Sequence, residues 1–176
     1  MAEDFLRRLT ANIRDVKDFP KPGIIFKDIT PALQQPALFK DLISHLAAPW
    51  KTDGITKIAA VESRGFIFGA PLALELGAGL CLVRKAGKLP HEAHRASYAL
   101  EYGEATVELH KDAVKPGDKV LIVDDLLATG GTAAAATKLV NVCGGQVAGY
   151  SFVIELAFLK GAVNLAPTRI ESLLRL

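Results

Sequence analysis

The chain has 176 residues, of which 50% are hydrophobic and 23% charged, and carries a net charge of +2. That length supports one independent core burying roughly 70% of the unfolded surface, and the composition excludes a disordered tail, a like-charge arm and a solenoid of repeats. A charge so near neutrality provides no basic stripe for nucleic acid and leaves small anionic substrates open.

The opening MAEDFLRRL lacks the cationic and apolar regions of a secretory signal. No apolar run approaches the length of about 20 residues that spans a bilayer, so a cytoplasmic protein with no membrane partner is expected. Phe5, Leu9, Ile13 and Val16 recur at three- and four-residue steps and predict an amphipathic helix over 3–16. The segment FPKPGIIFKDITP follows as a structured loop, because two prolines and Gly23 forbid a regular element at its start. Phe39, Leu42, Ile43 and Leu46 then predict a second helix over 36–48.

Beyond residue 56 the pattern becomes βαβ alternation. Apolar strands are expected at 57–61, 79–83, 119–123 and 146–154, with helices reaching about 76 and about 143. Continuous apolar runs mark buried parallel strands, and crossover helices cover both faces, so the fold class is α/β: a doubly wound, mostly parallel sheet flanked by helices. Between 86 and 111 the alternation gives way to a polar stretch, KAGKLPHEAHRAS, and two candidate strands, YALEY and ATVELH. This segment reads as a flexible loop and hairpin standing off the sheet. Cys81 and Cys143 lie in apolar runs with neither a CxxC partner nor metal-ligand spacing, and are expected as buried reduced thiols.

In open α/β sheets ligands gather at the carboxyl ends of the strands, and the polar residues obey that rule. Strand 57–61 ends in ESRG, 79–83 in RKAGK and 119–123 in DDLLATGGT. In ATGGT, Gly130 and Gly131 bare the backbone N–H groups, Thr129 and Thr132 add hydroxyls, and AAAATKLV continues as a helix whose N-terminus favours a phosphate. Taken alone, the glycine pair also reads as a tight turn with Thr132 as helix cap. A Walker loop is a poorer reading because no lysine follows the second glycine. Asp124 and Asp125 would repel a bare phosphate, whereas a ribose phosphate gives them hydroxyl groups to bind, with Mg²⁺ offsetting the remaining charge. Arg64 and Lys85, with Lys88 one turn further, can hold a second anion, although each also reads as a solvated strand end. Phe26, flanked by Ile25 and Lys27, reads from composition as core.

VLIVDDLLATGGT resembles the phosphoribosyl-pyrophosphate signature of type I phosphoribosyltransferases, and its LLATGGT form is similar to that of the adenine family. The resemblance continues through FPKPGIIFKDITP, ESRGFIFGAPLA, VRKAGKLP and SYALEYG in the family's order. It implies a single phosphoribosyltransferase domain over 1–176 with a hood, in which 1–35 form the N-terminal helix and base-binding segment. The implied activity is transfer of the 5-phosphoribosyl group of phosphoribosyl pyrophosphate to adenine, giving AMP and pyrophosphate in purine salvage, with Mg²⁺ held mainly by substrate near Asp124 and Asp125. The roles implied are ribose at Asp124 and Asp125, 5-phosphate at Ala128, Thr129, Gly130, Gly131 and Thr132, and pyrophosphate at Arg64, Lys85 and Lys88. Adenine falls to Ile25, Phe26, Lys27 and Leu127, proton transfer to Glu101, and closure of the site to Tyr102. A homodimer is also implied.

The sequence departs from the family's pattern at Lys27 and Ala162, where arginine is frequent, and His91, His94 and Arg95 receive no role beyond possible anion attraction. Two other readings stay open: the same chemistry on another purine, and a regulator that senses phosphoribosyl pyrophosphate without turnover.

Overall fold

The computed structural model describes residues 2–99 and 104–176, and the chain divides into two compact units, 1–45 and 46–176. In the first, Ala2–Ala11 form helix α1, with Glu3 and Asp4 in the first turn and Arg8 in the last, the charge order that suits the helix dipole. Phe5 and Leu9 are buried, and Phe5 stacks on His45 at 3.8 Å. The helix stops short of the expected residue 16. Arg14–Lys17 instead form strand β1, antiparallel to β2 at Ile25–Asp28, with Val16 opposite Phe26. Cross-strand pairs Arg14–Asp28 at 2.6 Å and Lys27–Asp15 at 2.7 Å favour the ladder, which a continued helix would forgo. Thr30–Leu33 (α2) and Pro36–Ala47 (α3) follow, the latter matching its apolar stripe.

The second unit is built on one sheet. Its strands are β3 (Lys57–Val61), β4 (Gly79–Lys85), β5 (Ala93–Ala99), β6 (Glu104–His110), β7 (Lys119–Leu127), β8 (Gln146–Glu155) and β9 (Ile170–Arg175). Among the described residues these seven strands run in the order β5-β6-β4-β3-β7-β8-β9, parallel from β4 to β9 and antiparallel at β6 and β5. Helix α4 (Gly65–Leu76) covers one face, where Gly69 meets Ala60, and α5 (Gly131–Val142) packs with Val61, Val83, Ile122 and Phe152 on the other. The doubly wound expectation holds.

The hairpin differs from expectation: β6 pairs with β4, so the hairpin extends the sheet rather than standing off it. Its first strand also begins earlier, at Ala93. The polar run HRAS hid it, because Arg95 answers the buried Glu108 directly across the ladder, Nε to Oε1 2.7 Å, and needs no apolar alternation there. Strand β9 went unread because Ile170–Arg175 follows an irregular, proline-bearing stretch.

Two features bear on later sections. Leu80 and Leu82 of β4 lie on the α4 side of the sheet and stay 43% and 38% exposed, with Ile67 and Leu74 of α4 also exposed. Toward the amino ends of the strands, Trp50 is buried against Gly149 of β8. The Arg169 guanidinium lies 4.4 Å from that ring and is tied to Asp53 at 3.0 Å.

Candidate active site

Strand β7 carries the acid pair farther than the sequence suggests, because its ladder with β8 runs on to Leu127. Asp124 and Asp125 stand side by side near the carboxyl end of this strand, their carboxyls close enough to interact directly. Asp125 is 6% exposed, and Arg64, the residue that opens α4, places Nε 2.9 Å from its Oδ2. Asp124 accepts the Asp125 backbone N–H at 2.8 Å. Gly65 lets this junction form: a Cβ there would sit 2.7 Å from the Val123 carbonyl and 3.2 Å from Asp124 Oδ1.

Burial, reinforced by the neighbouring Asp125 charge, pushes the Asp124 carboxyl well above its usual range. Burial also raises Asp125, while the Arg64 guanidinium opposes the shift. The two acids therefore hold negative charge at a cost, which is the condition under which hydroxyl donors or a cation are strongly favoured.

Immediately beyond, residues 128–132 turn from β7 into α5. Gly130 is the helix N-cap, with φ +82, a conformation that L side chains rarely adopt. Thr132 is therefore not the cap, and its hydroxyl is left for other work. The first turn of α5 presents N–H groups with no partner inside the helix. Asp124, Leu126, Leu127, Ala128, Thr129, Gly130, Gly131, Thr132, Ala133 and Phe152 line one cavity of about 70 Å³. Leu127 is almost fully buried, and Phe152, unread in the sequence, forms part of the wall.

The cationic segment at the end of β4 is organised by two carboxylates that sequence reasoning missed. Glu62 accepts the Lys85 backbone N–H at 2.9 Å and the Arg84 guanidinium at 3.2 Å. Burial alone would raise its carboxyl, but these two donors outweigh burial and hold it below the usual value. Glu108 accepts the Gly87 N–H at 2.9 Å, and Arg84 donates to the Lys88 carbonyl at 2.9 Å. The loop backbone is pinned while the Lys85 and Lys88 side chains stand exposed. Arg95, given no role beyond anion attraction, is the counterion of Glu108.

In the first unit, Phe26 is half-buried and meets Phe19 edge-on at 5.3 Å, Ile25 is exposed, and Lys27 is tied to Asp15. Glu101 and Tyr102 lie outside the described residues.

A half-buried Asp124 and a buried Asp125 beside a glycine turn and helix N-terminus are suited to a phosphorylated sugar. The model of the phosphoribosyl transferase domain family matches residues 32–160. An adenine phosphoribosyltransferase of Anaeromyxobacter dehalogenans is 57% identical over 164 residues, covering 93% of this chain and 95% of that protein. The chain belongs to the adenine phosphoribosyltransferases. Its fold is that of the family too: the crystal structure of the Rhodothermus marinus adenine phosphoribosyltransferase superposes with a TM-score of 0.94 at 50% identity, covering 99% of both chains. The Saccharomyces cerevisiae adenine phosphoribosyltransferase, 42% identical with a TM-score of 0.92 over 97% of this chain and 99% of that one, was crystallised with an imino-altritol bisphosphate and adenine.

Proposed function

We propose that this chain transfers the 5-phosphoribosyl group of phosphoribosyl pyrophosphate to adenine, releasing pyrophosphate and forming AMP, as a purine-salvage enzyme whose whole length, 1–176, acts as one catalytic domain. The observation that carries the reading is the single cavity in which Asp124 meets the Ala128–Thr132 turn. In this reading the N–H groups of that turn and the α5 N-terminus take the 5-phosphate, and Asp124 and Asp125 accept the ribose hydroxyls. Arg64, Lys85 and Lys88 draw charge off the departing pyrophosphate. Ile25, Phe26, Lys27 and Leu127 are assigned to adenine, Glu101 to proton transfer at the purine, and Tyr102 to closure.

Mg²⁺ fits the donor set, since it is commonly held by one or two carboxylates together with substrate phosphates and waters. It would be held mainly by the substrate's phosphates, near Asp124 and Asp125, and its chemistry would be to offset phosphate charge. A homodimer is supported by the exposed side chains of Ile67 and Leu74 on α4 and Leu80 and Leu82 on β4, which a second copy would remove from water. A cytoplasmic location agrees with Cys81 and Cys143 being free thiols, the state kept in a reducing compartment. Among the described residues no helix is long and apolar enough to cross a membrane.

The deciding experiment incubates purified protein with phosphoribosyl pyrophosphate, Mg²⁺ and each purine and reads nucleotide formation. AMP from adenine, lost on adding a chelator and restored by excess Mg²⁺, is the expected result. Preference for hypoxanthine would overturn the base, and binding without turnover would overturn the enzyme. Sedimentation with Leu82→Glu tests the dimer, and an unchanged mass would sink that assignment.

A further inference from the structure

The turn that receives the 5-phosphate does not hold its own shape. Behind it lies the 3₁₀ segment Gly161–Leu165, anchored in the core by the buried Leu165. Neither Gly161 nor Asn164 lines the phosphate cavity. Asn164 Nδ2 donates to the Thr129 carbonyl at 2.8 Å. The Ala128 carbonyl lies so close to Gly161 that a Cβ on Gly161 would collide with it, and a Cβ on Gly130 would stand 2.5 Å from the Gly161 carbonyl. Two consecutive carbonyls of the turn, Ala128 and Thr129, thus face the same wall.

A trans peptide is planar, with its N–H pointing opposite its C=O. With the carbonyls of 128 and 129 turned to the wall, the N–H groups of Thr129 and Gly130 point the other way. Successive N–H groups aimed to one side form an anion-binding concavity. We propose that Asn164, seated by Gly161, is a positioning residue for the phosphoribosyl donor: it holds the Thr129–Gly130 peptide in the orientation that aims the Gly130 N–H at the 5-phosphate, without touching substrate itself. This rests on the donor assignment above and extends it to a segment that no part of the acid-pair signature contains. Gly161 and Asn164, on either side of Ala162 and Val163, carry the contacts to the turn.

The test compares the wild type with Asn164→Asp, which keeps the shape but cannot donate, and Gly161→Ala. Calorimetry gives the Kd for phosphoribosyl pyrophosphate, and steady-state kinetics give both KM values and kcat. Losing one neutral hydrogen bond that organises the turn corresponds to a weakening of about 3- to 10-fold. Asn164→Asp is expected to raise the Kd and KM for phosphoribosyl pyrophosphate by about that factor, with KM for adenine and kcat within about twofold and melting temperature nearly unchanged. Gly161→Ala should weaken donor binding more, because the backbone itself must shift. Unchanged donor binding in folded Asn164→Asp, or equal rises in both KM values, would overturn the proposal. Should the wild type bind the donor without forming AMP, the enzymatic reading falls alone and the calorimetric comparison still decides the role of Asn164. Failure of the wild type to bind the donor would remove both.

Discussion

Arg64 and Asp125 close an ion pair between the start of α4 and the end of β7, Nε to Oδ2 2.9 Å, with the acid 6% exposed and the Arg64 side chain 38% exposed. The cation assigned to the leaving group is thus also the partner of an acid assigned to ribose. Arg64→Ala should therefore have two effects. Turnover falls about 100-fold or more through loss of charge stabilisation, and the fold loses about 1–2 kcal/mol because Asp125 is left buried without its cation, discounted for the solvent around Arg64. Kinetics and denaturant melts check both; a variant with unaltered kcat/KM would remove Arg64 from the pyrophosphate site.

Asp124 gives the opposite balance between stability and activity. Its carboxyl titrates above the ordinary carboxylate range because of burial and the adjacent Asp125 charge. An acid whose folded value is raised favours the fold below its unfolded value, about 3.9, and that contribution is lost as pH rises through the folded value. Asp124→Asn keeps an acceptor for the Asp125 N–H and removes the ionisation. At pH 7 it should melt on the order of 3 °C higher than the wild type, with the difference disappearing below about pH 4. Nucleotide formation should fall, and the double variant with Asp125→Asn should have none. A lower melting temperature at pH 7 would contradict the electrostatic account.

Glu101→Gln tests proton transfer. A positioned acid or base contributes about 100-fold or more to turnover, so kcat should fall by that order with both KM values within about twofold. Kinetics equal to the wild type would mark Glu101 as a surface acid.

Gly65→Ala tests the seating of the acid pair. The added Cβ meets the Val123 backbone at 2.7 Å and Asp124 Oδ1 at 3.2 Å, so α4 must move away from β7. A loss of about 1–3 kcal/mol is expected from such overpacking, accompanied by weaker donor binding. Thermal melts and calorimetry measure the pair; stability lost without any change in binding would show that the junction leaves Asp124 in place.

The parallel sheet and the glycine turn after the acid pair were legible in the sequence because both are written locally: apolar strand runs, then acids and glycines at fixed offsets. The contacts that shape the site were not. Glu62 reaches Lys85 and Asn164 reaches Thr129 across 23 and 35 residues, and nothing in either residue's neighbourhood announces its partner. Helix periodicity over 3–16 failed for a related reason, since Val16 is apolar for the sake of a strand partner, Phe26, ten residues on. The start of β5 was hidden because a buried carboxylate, Glu108, stands opposite Arg95 where alternation would have placed an apolar pair.

Trp50 is the chain's one tryptophan, packed on Gly149 beneath Arg169, toward the opposite end of the strands from the turn at 128–132. Its emission is therefore a built-in report on whether the second unit is folded and a poor report on whether the carboxyl-end rim is filled. Fluorescence melts of the variants above read integrity independently of ligand, so that a silent tryptophan during titration is the signature of binding far from the indole.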